Sequence, residues 1–191
     1  MRLLMKSPFN FIVRPIEGKR YNNTKTIGGM EFIVNTSEEE HKFSNRQATV
    51  VETPVGYNGP INIGDVILVH HNVFKFYNDI KGNRKSGKSF FKEDLFFVDN
   101  DQFYLYKQDG KWHSHDRFCF VKPIDTLDSF IDKSCKYEPL MGDMVYPNKY
   151  LKSQGISKGD RVYFTPDSEY EFTVDGETLY RVFDHQVTMK A

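Results

Sequence analysis

The sequence predicts an all-β protein built as two tandem small β-barrels. Three observations predict it: an aromatic composition punctuated by glycine and proline, many short strand signals at regular spacing, and one set of strand motifs that occurs twice in the same order. The 191 residues include 17 Phe and 11 Tyr, which favour pleated, half-buried surfaces, and 13 Gly and 8 Pro, which interrupt them. Apolar runs of strand length cover residues 9–16, 31–34, 48–52, 65–70, 72–77, 95–98 and 103–107. They continue over 117–123, 161–165, 170–174, 179–183 and 186–190. Asp175-Gly176 marks a hairpin, because glycine tolerates the positive φ of a tight turn; Asp99-Asn100-Asp101 and Asp184-His185 are compact polar connections. No amphipathic pattern reaches three helical turns, and the best candidate, 127–136, is short.

The repeat carries most of the information. Phe11-Ile12-Val13-Arg14-Pro15-Ile16 returns as Cys119-Phe120-Val121-Lys122-Pro123-Ile124. Ile61-Asn62-Ile63-Gly64-Asp65-Val66 returns as Ile156-Ser157-Lys158-Gly159-Asp160-Arg161, each leading into an apolar strand. Leu95-Phe96-Phe97-Val98 with Phe103-Tyr104-Leu105 returns as Leu179-Tyr180-Arg181-Val182 with Val187-Thr188-Met189. The offsets fall from 108 to 95 to 84, so the second copy is shorter between its motifs. The expected division is 1–110 and 111–191. Each motif has a physical role. A strand ending in basic-Pro leaves its ladder where proline has no N–H to donate. A Gly-Asp turn opens the next strand, and a tight polar connection joins the last pair.

Charge balances at 26 basic and 26 acidic residues, and neither half forms the basic surface that phosphate backbones select. Nucleic acid is therefore not an expected partner. No run approaches the roughly 18 apolar residues of a spanning helix, and Met1 to Lys6 carries no signal-peptide core, so no membrane is expected and the location is read as cytoplasmic. Two cysteines are too few for a disulfide scaffold; Cys119, in an apolar run, reads as a core thiol.

The order of these motifs resembles the GroES-type co-chaperonins (the chaperonin-10 family). The resemblance rests on Val13-Arg14-Pro15, Thr24-Lys25-Thr26-Ile27-Gly28-Gly29, Gly64-Asp65-Val66-Ile67-Leu68, the stretch Lys158 to Phe164, and the terminal apolar pair ending Val187-Thr188-Met189-Lys190-Ala191. It spans most of the chain at low identity and leaves 78–91 and 125–144 without counterparts. It implies two GroES-like barrels forming a non-enzymatic, homo-oligomeric lid that binds a GroEL-type chaperonin ring in an ATP-dependent manner and needs no cofactor or metal of its own. It also implies a mobile loop over 21–43, whose docking residues would come from Ile27, Gly28, Gly29, Met30, Glu31, Phe32, Ile33 and Val34. Glu31 departs from the apolar tripeptide of the family. The docking set is therefore Met30-Glu31-Phe32 or Phe32-Ile33-Val34. Residues 53–60, where the family has a roof hairpin, are short. Shortened roofs occur in some bacteriophage-encoded members, and the composition is compatible with that origin, which would place the protein in the host cytoplasm.

Other chemistries compete. Residues 28–34 also read as an ordinary turn and a buried strand. Gly82-Asn83-Arg84-Lys85-Ser86-Gly87-Lys88-Ser89 matches the phosphate-loop pattern, which would make the chain a nucleotide-binding protein. That motif works only between a strand and a helix, and Leu95 to Asp101 follows too closely for both. Its bland reading is a basic hairpin tip. His70-His71 are expected on opposite faces of a strand and so not to share an ion, and His113-Ser114-His115 lacks zinc-type spacing. A phage structural or assembly protein built from tandem barrels is the remaining alternative.

Overall fold

The computed structural model describes residues 5–21, 24–27, 30–33, 44–126 and 137–191. The chain divides into two compact units, Met1–Asp109 and Gly110–Ala191. Strand dominates both; the described helix of the α type is a single short one.

The first unit holds β1 (Phe11–Pro15), β2 (Thr24–Ile27), β3 (Met30–Ile33), β4 (Gln47–Glu52), β5 (Val66–Val69), β6 (Phe76–Asn78), β7 (Arg84–Ser86), β8 (Phe90–Lys92), β9 (Leu95–Val98) and β10 (Phe103–Gln108). Six neighbouring strands of its main, seven-stranded antiparallel sheet run β10-β5-β4-β1-β9-β8. The second unit holds β11 (Lys111–Ser114), β12 (Phe118–Asp125), β13 (Tyr137–Tyr146), α1 (Lys149–Ser153), β14 (Arg161–Phe164), β15 (Tyr170–Val174), β16 (Glu177–Phe183) and β17 (Val187–Lys190). Its sheet runs β17-β14-β13-β12-β16-β15. Position by position the two orders are the same: within each set the sixth strand lies beside the third, then the second, first, fifth and fourth. In neither unit do the two end strands of this order pair with each other.

The repeat extends to single hydrogen bonds. Gly64 and Gly159 both take positive φ, 95° and 92°. Val50 N donates to Asp65 O and Gly64 N to Val50 O (2.9 and 2.8 Å); Met144 N donates to Asp160 O and Gly159 N to Met144 O (2.8 and 2.7 Å). The Asp65 and Asp160 carboxylates each accept a backbone N–H three residues back, from Asn62 (2.8 Å) and Ser157 (2.7 Å). At the closing pair, Gln102 and Gln186 each turn their side-chain oxygen back onto a backbone N–H, of Asp99 (3.0 Å) and Phe183 (2.9 Å). Even the bulges coincide: β1 slips against β4 between Ile12 and Val13, and β12 slips against β13 between Phe120 and Val121.

The cores correspond as well. Val13, Val50, Ile67, Val69, Phe96 and Val98 in the first unit stand where Val121, Met144, Val162, Phe164, Tyr180 and Val182 stand in the second. Phe11, Phe74 and Phe103 enlarge the first core, with Phe11 edge-on to Phe103 at 5.3 Å and Phe74 edge-on to Phe96 at 4.8 Å.

Several expectations change. The stretch 125–144, left without a counterpart by the resemblance, contains most of β13, which is hydrogen-bonded to β12 on one side and β14 on the other. Pro139, a positive φ at Leu140 (57°) and Gly142 hide its alternation. Gly142 is required there, because a Cβ would lie 2.8 Å from the Lys122 carbonyl oxygen. The strand expected over 72–77 is confined to β6; Val73 and Phe74 reach the core from a turn. The first strand begins only at Phe11, leaving Phe9 exposed. The helix candidate 127–136 and Cys135 lie outside the described residues. The helix that is described, α1, was not expected; Asn148 caps it by accepting the Leu151 N–H at 2.8 Å.

Candidate functional site

What the first unit carries beyond the shared strands is a pair of hairpins. One, β2–β3, holds the predicted docking residues. Its ladder pairs Thr24 with Ile33, Lys25 with Phe32, Thr26 with Glu31 and Ile27 with Met30, and among the described residues it forms a two-stranded sheet of its own. Ile27, Met30, Glu31, Phe32 and Ile33 are thus on this ladder, whereas Gly28, Gly29 and Val34 lie outside the described residues. The other hairpin, β6–β7, pairs Phe76 with Ser86, Tyr77 with Lys85 and Asn78 with Arg84.

The two hairpins spring from one junction. Tyr21 and Ser44 bridge across the neck of the first. Asn45, buried, fastens that neck: its Nδ2 donates to the Ile16 and Lys19 carbonyls (3.2 and 2.8 Å), its Oδ1 accepts the Gln47 N–H (2.9 Å), and its backbone N–H donates to Arg20 O (2.8 Å). Tyr21 then reaches the second hairpin: its hydroxyl accepts the Phe76 N–H at 2.8 Å and its ring stacks on Phe76 at 6.0 Å. The Arg20 guanidinium lies over Phe76 (4.2 Å), Phe96 (4.6 Å) and Phe90 (5.0 Å), and donates to Ser86 Oγ at 2.9 Å. Burial pulls this guanidinium below its ordinary value; the Arg84 charge pulls the same way and Tyr21 opposes. One cation thereby ties the neck of β2–β3, the base of β6–β7 and the core together.

The second hairpin ends in an ordered turn. Asp79 Oδ1 accepts the Lys81 and Asn83 N–H groups (2.9 and 2.8 Å), and Asp79 N and Gly82 N close the loop onto Asn83 O and Asp79 O (2.9 and 2.8 Å). The backbone bond from Asn83, foremost, holds this carboxyl below its usual range. Ile80, at the apex, is fully exposed. Sequence reasoning missed Arg20, Tyr21, Asn45, Phe76 and Ile80; Asp79 with Gly82 was the signal available for the turn.

The competing chemistries lack their geometry. Residues 82–89 run through β7 and lead into β8, with no helix after them, so the phosphate-loop match has no helix N-terminus to hold a phosphate. The strand expected at His70-His71 ends at Val69. The alternation argument therefore does not apply there: the two rings lie 4.1 Å apart, and His70 Nδ1 accepts the Asn72 N–H. Among the described residues no three His, Cys, Asp or Glu side chains are placed to hold a metal ion. Cys119 is a core thiol, bonded to Val182 O at 3.4 Å, with its pKa pushed far up by burial. A cleft of about 490 Å³ in the second unit is lined by Trp112, Tyr146, Lys152 and Lys158. Two of its polar groups are hydrogen-bonded within the unit: Trp112 Nε1 donates to Asp175 (2.9 Å) and Ser114 Oγ to Tyr146 O (2.6 Å). No described helix is long and apolar enough to cross a membrane.

No protein-family model and no curated protein matches this sequence.

Proposed function

We propose that the chain is a co-chaperonin: a non-enzymatic lid of two tandem GroES-like small barrels that engages a GroEL-type chaperonin ring through the β2–β3 hairpin. The observation that carries this reading is the strand order run twice with the same Gly-Asp turn, interrupted in the first unit by the β2–β3 ladder, whose strands flank Gly28-Gly29 in the sequence. That is where the resemblance puts a chaperonin-docking loop. The ladder that pairs 24–27 with 30–33 departs from a loop unpaired when free; in this reading it leaves the segment less entropy to lose on docking. The docking residues are Ile27 to Val34. Each single contact is weak, and a homo-oligomeric ring of such hairpins binds through effective concentration rather than through any one contact. In this reading the ATP is hydrolysed by the chaperonin, and the protein works in the cytoplasm where the chaperonin is.

The test is co-sedimentation of the full chain with a bacterial GroEL-type chaperonin, with and without ATP. Binding is expected only with ATP, and both deletion of 27–34 and Phe32→Ala are expected to abolish it. A chain that folds and never co-sediments would leave a tandem-barrel structural or assembly protein as the better reading.

A further inference from the structure

The β6–β7 hairpin carries a charge and an apolar apex that the lid does not use. From Tyr77 to Lys85 every residue except the half-buried Asp79 is exposed, so the outer half of the hairpin is bare on both faces. Residues 75–92 hold six basic residues and a single acidic one, Asp79, in a chain of zero net charge. The even balance of the whole sequence hides this local excess. The Asp79 carboxylate is turned onto its own loop, where it accepts from the Lys81 and Asn83 N–H groups and from the Asn83 amide. The next carboxylates along the chain, Glu93 and Asp94, lie between β8 and β9, and Asp94 pairs with Arg14 at 2.6 Å.

The cations stand on both faces of the hairpin. Lys85 is directly opposite Tyr77 on one face. Arg84 is on the other, its guanidinium 3.7 Å over the Phe76 ring that Arg20 also covers at 4.2 Å. Lys81 adjoins the apex. Ile80, held there by the Asp79 turn, is fully exposed, and Tyr77 is 52% exposed. Three residues separate the two, which puts Tyr77 at most about 10 Å behind the tip. Tyr77 offers a base one stacking face, but a single strand of nucleic acid needs a groove that tracks its backbone. Cations on opposite faces form no such groove, and the aliphatic tip would have no part in the contact. A flat anionic surface met end-on uses every one of these groups. The aliphatic tip enters the acyl boundary, the tyrosine sits at headgroup depth, and the cations meet the negative surface around them.

We propose that the β6–β7 hairpin docks end-on on an anionic lipid surface, with Ile80 at the acyl boundary, Tyr77 among the headgroups, and Lys81, Arg84 and Lys85 against their negative charge. The chain would then lie on the bilayer rather than span it, which requires no spanning helix. This contact rests on no part of the co-chaperonin reading.

The experiment is co-sedimentation of the full chain with vesicles, without chaperonin. One set is pure phosphatidylcholine and the other contains about one third phosphatidylglycerol, a content at which surface charge governs binding. Binding is expected to the anionic vesicles alone, and to weaken as salt is raised. Lys81→Glu with Lys85→Glu is expected to weaken it at least about 25-fold, each lost cation being worth about fivefold. Ile80→Ser, which leaves the charge unchanged, is expected to weaken it about tenfold. In Ile80→Trp the new indole is expected to shift its emission to the blue on anionic vesicles and to be quenched by lipids brominated in their acyl chains. Far-UV circular dichroism checks that each variant folds, and the lipid dependence of the wild type tests the proposal without any variant. Equal binding to both vesicle sets, an Ile80→Ser variant that binds like the wild type, or an indole that acyl bromines do not quench would each overturn it. So would a chain that ignores the vesicles but binds a single-stranded oligonucleotide and loses it on Tyr77→Ala, which would make the hairpin a nucleic-acid contact. Chaperonin co-sedimentation is scored separately, so failure on vesicles leaves the lid untouched, and failure on chaperonin leaves the lipid contact untouched.

Discussion

The two units share six strands in one order, yet the first hangs two hairpins on that frame and the second hangs none that is described between β14 and β15. From β5 to β8 the first unit spends residues 70–89, enough for β6, β7 and the Asp79 turn; from β14 to β15 the second spends only 165–169. What they keep in common is what the fold requires: the positive-φ glycine, the aspartate that caps its turn, the glutamine that ties the closing pair, and a bulge in the first strand. What only one of them has is where a function can be added without disturbing that frame. The added hairpins come with added packing. Arg20 sits on Phe76, Phe90 and Phe96 in the first unit, whereas the residue equivalent to Phe96 in the second is the half-buried Tyr180.

The sharpest way to break this comparison is to remove that aromatic ring from each unit. Phe96→Ala takes away the ring that meets Phe74 and Phe90 and supports the Arg20 cation, and is expected to cost about 3–5 kcal/mol. Tyr180→Ala is expected to cost distinctly less, since that ring is already partly in solvent. Urea unfolding followed by far-UV circular dichroism measures both, and Trp112, the chain's one tryptophan, reports the second unit. Equal losses would mean that the junction adds nothing to the first core.

A smaller effect tests the second strands. Ala48 of β4 and Gly142 of β13 hold equivalent places, opposite Pro15 and Pro123. Ala48 is buried with its methyl accommodated, whereas a methyl on Gly142 would press on the Lys122 carbonyl. Gly142→Ala is expected to destabilise by about 1–3 kcal/mol through overpacking. Ala48→Gly is expected to lose about 1 kcal/mol through chain entropy and a small void. If Gly142→Ala instead stabilises, the two strands are less alike in spacing than their registers state.

Much of this frame was legible in the sequence, because its signals are local. A glycine that must take positive φ, an aspartate three residues from the N–H it caps, and a proline at a strand end each fit within a few residues. β13 was not legible: Pro139, Leu140 and Gly142 break the alternation that identifies a strand, and only pairing on both sides holds it extended. The five-residue α1 is too short to show a helical period. At the candidate site, the sequence names Ile27 to Val34 but not the register that sets Ile27 beside Met30. The junction was beyond reach, since Tyr21 and Phe76 meet across 55 residues and the Arg-Lys-Ser of β7 carries no strand signal.

The finest distinction lies in the two Gly-Asp turns, alike in backbone but not in charge. Asp65 Oδ2 accepts from the amide of Gln108 at 3.0 Å, a neutral partner; Asp160 Oδ2 meets the Lys190 ammonium at 2.6 Å. The hydrogen bond from Lys190, ahead of the backbone bond from Ser157, holds the Asp160 carboxyl below its ordinary 3.8. A carboxyl whose folded value is depressed adds stability that is fully present above its unfolded value and lost as pH falls through the folded one. The second unit is therefore expected to lose stability as the solution is taken from about pH 4 downward, and Asp160→Asn to flatten that fall while keeping the acceptor for Ser157. The effect is small, because the pair is exposed and screened, and it shrinks further in high salt. Urea midpoints from Trp112 fluorescence across the acid range measure it, with Asp65→Asn as the control at the equivalent turn. A slope unchanged by Asp160→Asn would mean that Lys190 contributes nothing through its charge, and that the two turns differ only in sequence.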